Sequence, residues 1–259
     1  MPRVRLTLLR SVSIVLFFVI WAAFSFANAN YLKLFNAVLM PGPLDVLRTG
    51  LDLIKSGELQ NDILASMSRV LQGFAIAAVL GVGLGMAVGR SRLLENLIDP
   101  MLELLRPIPP LAFLPMMVLW FGIGEASKIA FIAYAAFFPI FTTTLEGIKY
   151  VDPLLLRAAS SLGASQRDLF RFVVLPAAMP GIITGLRLGF GLSFFVIVAA
   201  EFIAADSGLG YLINDARTFF LVSQMLLGAA VIGLIGFIFN RLLRLLEARL
   251  LRWRKTAWS

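Results

Sequence analysis

The sequence predicts an all-α fold, a polytopic membrane protein with six transmembrane helices, and three observations carry that prediction. Hydrophobic residues make up 59% of the chain and the mean hydropathy is +0.89, against about 45–50% apolar content in a soluble domain. The apolar residues fall into several runs near or beyond the roughly 18 to 20 needed to cross the hydrocarbon core of a bilayer. Lysines and arginines collect at alternate ends of those runs, as orientation by cytoplasmic positive charge requires. A single transmembrane domain over residues 1–259 follows.

The formal charge of +8 would suggest a nucleic-acid partner in a soluble protein. Here the cations flank apolar segments and no basic patch interleaves with aromatics, so no nucleic acid is expected. The chain has no cysteine and no histidine, which excludes disulfides, thiolate chemistry and histidine-based metal sites or general bases. Its 15 acidic residues are scattered, without the clustering of a carboxylate metal site or an acid/base pair. Neither a catalytic nor a metal site is expected within this chain.

The elements follow in order. Arg3, Arg5 and Arg10 precede an apolar run from Ser11 to Ala27, read as an uncleaved first span although Ala27-Asn28-Ala29 resembles a signal-peptidase site. Residues 28–69 form an amphipathic segment on the outer surface. After the Pro41-Gly42-Pro43 breaker, Leu44, Leu47, Leu51 and Ile54 alternate at helical spacing with Asp45, Arg48, Asp52 and Lys55. A second polar helix from Glu58 leads into the second span, Val70 to Val88, where Gly81, Gly85 and Gly89 recur every four residues on one packing face.

The third span is interrupted by Arg106-Pro107-Ile108-Pro109-Pro110 and by Pro115, and ends near Phe121. Backbone groups freed by proline at membrane depth must be buried in protein or face a wet cavity, so this span is expected to line a pathway. The fourth span runs from Lys128 to Leu145. The fifth, Pro180 to Ala204, repeats the glycine face at Gly181, Gly185 and Gly189, and the sixth runs from Phe219 to Asn240. This arrangement places 17 of the 23 lysines and arginines inside, among them Arg90, Arg92, Lys149 and the six from Arg241 to Lys255. The six left outside are Lys33, Arg48, Lys55, Arg69, Lys128 and Arg217. Both termini are therefore expected in the cytoplasm.

Between the fourth and fifth spans, residues 149–179 form the longest inner loop and read as helix, sharp turn, helix. Asp152 caps a helix with Pro153 at its first position, Gly163 stops it, and Ser165 with Asp168 starts a second helix that ends at Leu175-Pro176. A short helix of small residues held by tight turns between two spans is a lever for a partner that grips Ala158, Ala159 and their neighbours.

Ala158-Ala159-x-x-x-Gly163, nine residues, Val173, one residue and Leu175-Pro176 resemble the EAA loop of permease subunits of binding-protein-dependent ABC importers. The family motif begins with Glu where this chain has Arg157, so an acidic contact to the ATPase does not carry over. Arg106 to Pro115, Trp120 to Glu125 and Ala199-Ala200-Glu201 resemble the nitrate, sulfonate and taurine permeases, and the form of residues 157–165 is most similar to taurine permeases.

The resemblance implies a type I ABC importer permease fold in the bacterial inner membrane, and it assigns Arg157, Ala158, Ala159, Ser160, Leu162, Gly163, Ala164 and Ser165 to ATPase coupling. It also implies several partners: a second copy of the chain, two cytoplasmic ABC ATPases that bind ATP and Mg, and a periplasmic or lipid-anchored binding protein outside. The chain contains no Gly-x-x-x-x-Gly-Lys-Ser/Thr loop, so ATP is expected on another subunit.

For the translocation pathway the candidates are Pro109, Pro110, Phe113, Arg187, Ser193 and Glu201. Arg187 and Glu201 are 14 residues apart, within about 40° on one helix face. An arginine at mid-span costs on the order of 2.5–3.5 kcal/mol, so Arg187 should face protein or water, where it would meet a sulfonate. For Glu201 a gate, a binding-protein contact and a structural ion pair stay open. Taurine or a related sulfonate is the expected cargo, with nitrate, bicarbonate or another small solute as alternatives. The rival class, an ion-coupled carrier or channel, would need intramembrane ion sites, which are scarce here.

Overall fold

The computed structural model describes residues 3–251. The basic tail at Arg252, Arg254 and Lys255 and the side chains of Arg3, Arg5 and Arg10, all used to argue orientation, lie outside the described residues. Every element among the described residues is helical: α1 (Arg3–Ala27), α2 (Pro43–Ser56), α3 (Glu58–Arg90), α4 (Arg92–Leu105), α5 (Pro110–Phe121), α6 (Glu125–Lys149), α7 (Pro153–Ser161), α8 (Gln166–Asp168), α9 (Leu175–Ala204), α10 (Leu209–Thr218) and α11 (Val222–Leu250). Five helical segments are long and apolar enough to cross a membrane, and α4 with α5, meeting at 98°, makes a sixth if counted as one broken span.

Three elements differ from the sequence reading. The polar helix from Glu58 and the second span are one continuous helix, α3, because nothing between Glu58 and Arg90 removes a backbone donor or forces a turn. Pro176 does not end the loop's second helix. A π turn at Leu169–Val174 widens the coil, Leu175 N–H donates to Phe170 O five residues back, and Pro176 sits in the first turn of α9, where its missing N–H costs little. Finally, α10 stands before the last span, where no helix was expected.

The chain divides into two compact units. One extends through Ala65 and adds Asp206–Gly233. In it Asn28 is buried and clasps the backbone of Phe35, donating from Nδ2 to its O (2.9 Å) and accepting its N–H at Oδ1 (3.0 Å). Trp21 Nε1 donates to Pro41 O and Ser25 Oγ to Met40 O, which fixes the return of the chain from α1 to α2. Helix α2 turns Val46, Gly50 and Leu53 inward, whereas Leu44, Leu47, Leu51 and Ile54 are exposed. The apolar stripe read from the sequence is present, but it faces outward.

The other unit holds Ser66–Ala205 and the chain from Leu234 onward. Its axis is α6, buried between two glycine faces. A Cβ on Gly85 of α3 would lie 2.8 Å from Thr144 Cβ, and one on Gly181 of α9 would lie 2.8 Å from Thr143 O. These are backbone approaches that only glycine permits, and in lipid such packing is the main source of helix association. Phe131, Ile132, Ile140 and Phe141 of α6 are completely or almost completely buried.

Candidate functional site

The loop at residues 149–179 is built as a rigid handle. Asp152 Oδ1 accepts the N–H of Leu154 (2.8 Å) and Pro153 opens α7. At the far end Gly163 adopts φ +80°, its N–H donates to Ser160 O (3.0 Å), and Ala164 N–H donates to Ala159 O (3.2 Å). This pair of bonds is the Schellman closure, which satisfies terminal carbonyls and needs a left-handed residue at the glycine position. Ser165 and Asp168 then exchange capping bonds across the start of α8. Arg157, Ala158, Ser160, Leu162 and Ser165 are exposed, Ala159 and Ala164 half-buried. Leu162 is 89% exposed and Leu154 69%, a large apolar presentation on an otherwise polar turn.

Both feet of the handle are tied to other helices. Lys149, at the end of α6, pairs with Glu95 (2.7 Å) and Asp99 (3.7 Å) of α4. Beyond the turn, Leu169 is buried and the Arg90 guanidinium at the end of α3 lies 5.1 Å from the centroid of the Phe170 ring. Ala178 of α9 rests against Gly147 of α6, where an added Cβ would approach Ala178 O to 3.1 Å. The loop that carries α7 is thus tied to α6, α9, α3 and α4.

The pathway candidates occupy four different settings. Pro109 caps α5 and Pro110 opens it at the corner with α4, and Phe113 packs against Tyr134 of α6 with ring centroids 4.7 Å apart and planes inclined by 53°. Ser193 is buried, its Oγ donating to Gly189 O of its own helix (2.9 Å). Arg187 is half-buried, pairs with Glu247 of α11 (3.1 Å) and lines a cavity of about 720 Å³. Glu201 is not on that cavity: 14 residues along α9 put it about 21 Å from Arg187, and the two are not brought together.

Glu201 belongs instead to a buried charge network that the sequence did not reveal. Arg69 of α3 donates from Nη1 to Glu201 Oε1 (2.7 Å) and, through Nε and Nη2, to both oxygens of Glu125 (2.6 and 2.8 Å). Ser66 Oγ donates to both Glu201 oxygens, and Lys128 pairs with Glu125 at 2.9 Å. Arg69, Lys128 and Glu201 are each at most 2% exposed. Arg69, Lys128 and Glu201 are buried while the Glu125 side chain is 57% exposed, and the charge-assisted bonds among them tie α3, α6 and α9 together. The charge count from sequence places Arg69 and Lys128 among the outer cations, and the fold buries both. The available signal was an arginine inside the continuous α3 pattern, immediately before the apolar run that begins at Val70.

Among the described residues no group of three His, Cys, Asp or Glu is placed to hold a metal.

Residues 64–252 match the family model described as the binding-protein-dependent transport system inner membrane component. The chain is 41% identical over 227 residues to the taurine transport system permease protein TauC of Escherichia coli, covering 86% of this chain and 82% of that protein. It is 38% identical to the putative aliphatic sulfonates transport permease protein SsuC of Bacillus subtilis (85% and 80% covered) and 35% identical to the nitrate import permease protein NrtB of Synechocystis (81% and 79%). Among solved structures, an amino acid ABC transporter with histidines matches with TM-score 0.62 at 20% identity, over 77% of this chain and 97% of that one. An inward-facing MetNI methionine ABC transporter matches with TM-score 0.58 at 18% identity, over 72% and 94%. These relatives are transport components and not enzymes in themselves. The chain belongs to the inner membrane components of binding-protein-dependent transport systems, as the permease subunit of an ABC importer.

Proposed function

We propose that this permease carries taurine or a related sulfonate inward, as a homodimer served by two cytoplasmic ATPases that bind ATP and Mg and by an extracytoplasmic binding protein. The observation that carries the reading is the closed turn at Gly163, which presents exposed Leu154 and Leu162 from a helix anchored at both feet. Large apolar side chains left unpaired on a polar connection mark a protein contact, and residues 157–165 are the surface for the ATPase. Both termini lie in the cytoplasm, as does this handle. Burial of Arg69 and Lys128 supports that orientation, since it leaves only Lys33, Arg48, Lys55 and Arg217 as outer loop cations. The similarity to taurine and aliphatic sulfonate permeases supports the cargo.

In this reading Pro109, Pro110 and Phe113 shape the corner that borders the pathway, Arg187 meets the anion, and Ser193 and Glu201 hold the helix that carries it. Copurification from native membranes should recover a nucleotide-hydrolysing subunit with this chain. The complex, reconstituted in vesicles with its binding protein, should take up taurine and alkanesulfonates on ATP addition. Gradient-driven flux by the purified chain alone would overturn the importer reading, and preference for nitrate or bicarbonate would overturn the cargo.

A further inference from the structure

The cavity beside Arg187 is lined by groups other than Arg187 to which the reading above gives no role. It lies between α9 and α11, and its volume of about 720 Å³ is ample for a small solute. Arg187, Asn240 and Arg244 line one part of it, Phe190, Phe194 and Phe195 another. Asn240 and Arg244 are one turn apart and therefore share a face of α11. Along α9, Phe190, Phe194 and Phe195 follow Arg187 by 3, 7 and 8 residues, the spacing of a single helix face, which puts the rings about 4.5 to 12 Å beyond the level of Arg187. Phe190 and Phe194 are buried and pack on each other and on Phe239, with ring centroids 5.0 to 6.2 Å apart. Phe190 and Phe194 thus form a packed apolar wall, with Phe195, 71% exposed, at its edge.

We infer that this cavity is a binding site for a small organic monoanion, with the anionic head between Arg187, Arg244 and Asn240 and a short carbon chain against the phenylalanines. Charge selects the valence: Arg187 and Arg244 against Glu247 leave one net positive charge, which one sulfonate neutralises and a dianion overshoots. Glu247 is the resident competitor. Its pair with Arg187 is about one-third exposed on both sides, and such pairs contribute little free energy, so an incoming oxyanion exchanges with the carboxylate. The displaced Glu247 is three residues from Arg244 on the same helix, within reach of a second cation. The aromatic wall distinguishes a sulfonate that bears a carbon chain from bare nitrate.

The inference rests on the sulfonate reading of the cargo, yet its test requires neither ATPase nor uptake, so the two can fail separately. The full chain in phosphatidylcholine nanodiscs is titrated with trifluoromethanesulfonate and followed by fluorine NMR line broadening. Arg187→Gln and Arg244→Gln should each weaken binding about tenfold, the effect of one charged hydrogen bond. Glu247→Gln should tighten it up to about fivefold by removing the competitor, a gain that misfolding cannot produce. Ethanesulfonate should displace the probe at lower concentration than nitrate or sulfate. Equal binding by all four proteins would overturn the site. Displacement by phosphatidylglycerol but not by ethanesulfonate would overturn it as a solute site and assign the same cations to a lipid phosphate.

Discussion

Gly163→Pro is expected to abolish ATP-driven uptake while the chain still inserts at normal abundance. Gly163 sits at φ +80°, and its N–H closes the end of α7 on Ser160 O. Proline fixes φ near −65° and has no N–H, so it removes both the turn geometry and one of its bonds. The damage stays local, since a Cβ at this position meets nothing within 4 Å and the anchors at Lys149 and Phe170 are remote from it. Gly163→Asn should keep most of the activity, because asparagine tolerates the left-handed region at a cost of about 1–2 kcal/mol or less. Uptake and substrate-stimulated ATP turnover in reconstituted vesicles measure both variants. Normal uptake by Gly163→Pro would remove the handle from the mechanism.

The second large effect concerns the buried charges. Arg69→Met should cost about 3–5 kcal/mol of stability, since it removes the buried cation that pairs with both Glu201 and Glu125. Glu201→Leu should cost less, because Arg69 keeps both of its bonds to Glu125. The double variant Arg69→Met/Glu201→Leu should recover part of the loss, because it removes the two opposite charges together while Glu125 and Lys128 still pair at 2.9 Å. Thermal unfolding of the purified protein in detergent gives the cycle. Strictly additive losses would show that Arg69 and Glu201 do not act as a pair.

What the sequence disclosed was what depends on local pattern. Spans followed from hydropathy, and the two glycine faces followed from the four-residue repeat at Gly81 to Gly89 and Gly181 to Gly189, because helix periodicity alone puts those residues on one stripe. The helix and turn at residues 152–168 were legible for the same reason: Asp152-Pro153, Gly163 and Ser165 with Asp168 each act within a turn or two of themselves. The charge network was not legible. Arg69 meets Glu125 and Glu201 across 56 and 132 residues, and no local pattern encodes such a pairing, so Arg69 and Lys128 were counted as loop cations.

Helix α2 shows another limit. It carries two apolar faces, and spacing does not say that Val46 and Leu53 turn inward while Leu44, Leu47, Leu51 and Ile54 stay exposed. Pro176 misled for a third reason, since a π turn immediately before it relieves the constraint that would have ended the helix.

The absence of cysteine from the whole sequence makes one reporter position unambiguous. With Leu162→Cys as the sole thiol, labelling by a membrane-impermeant maleimide should occur in inside-out vesicles and not in right-side-out ones, and it should be blocked when the nucleotide-hydrolysing partner is bound. Labelling from the external side, or equal labelling with and without that partner, would contradict a cytoplasmic handle driven by a separate motor.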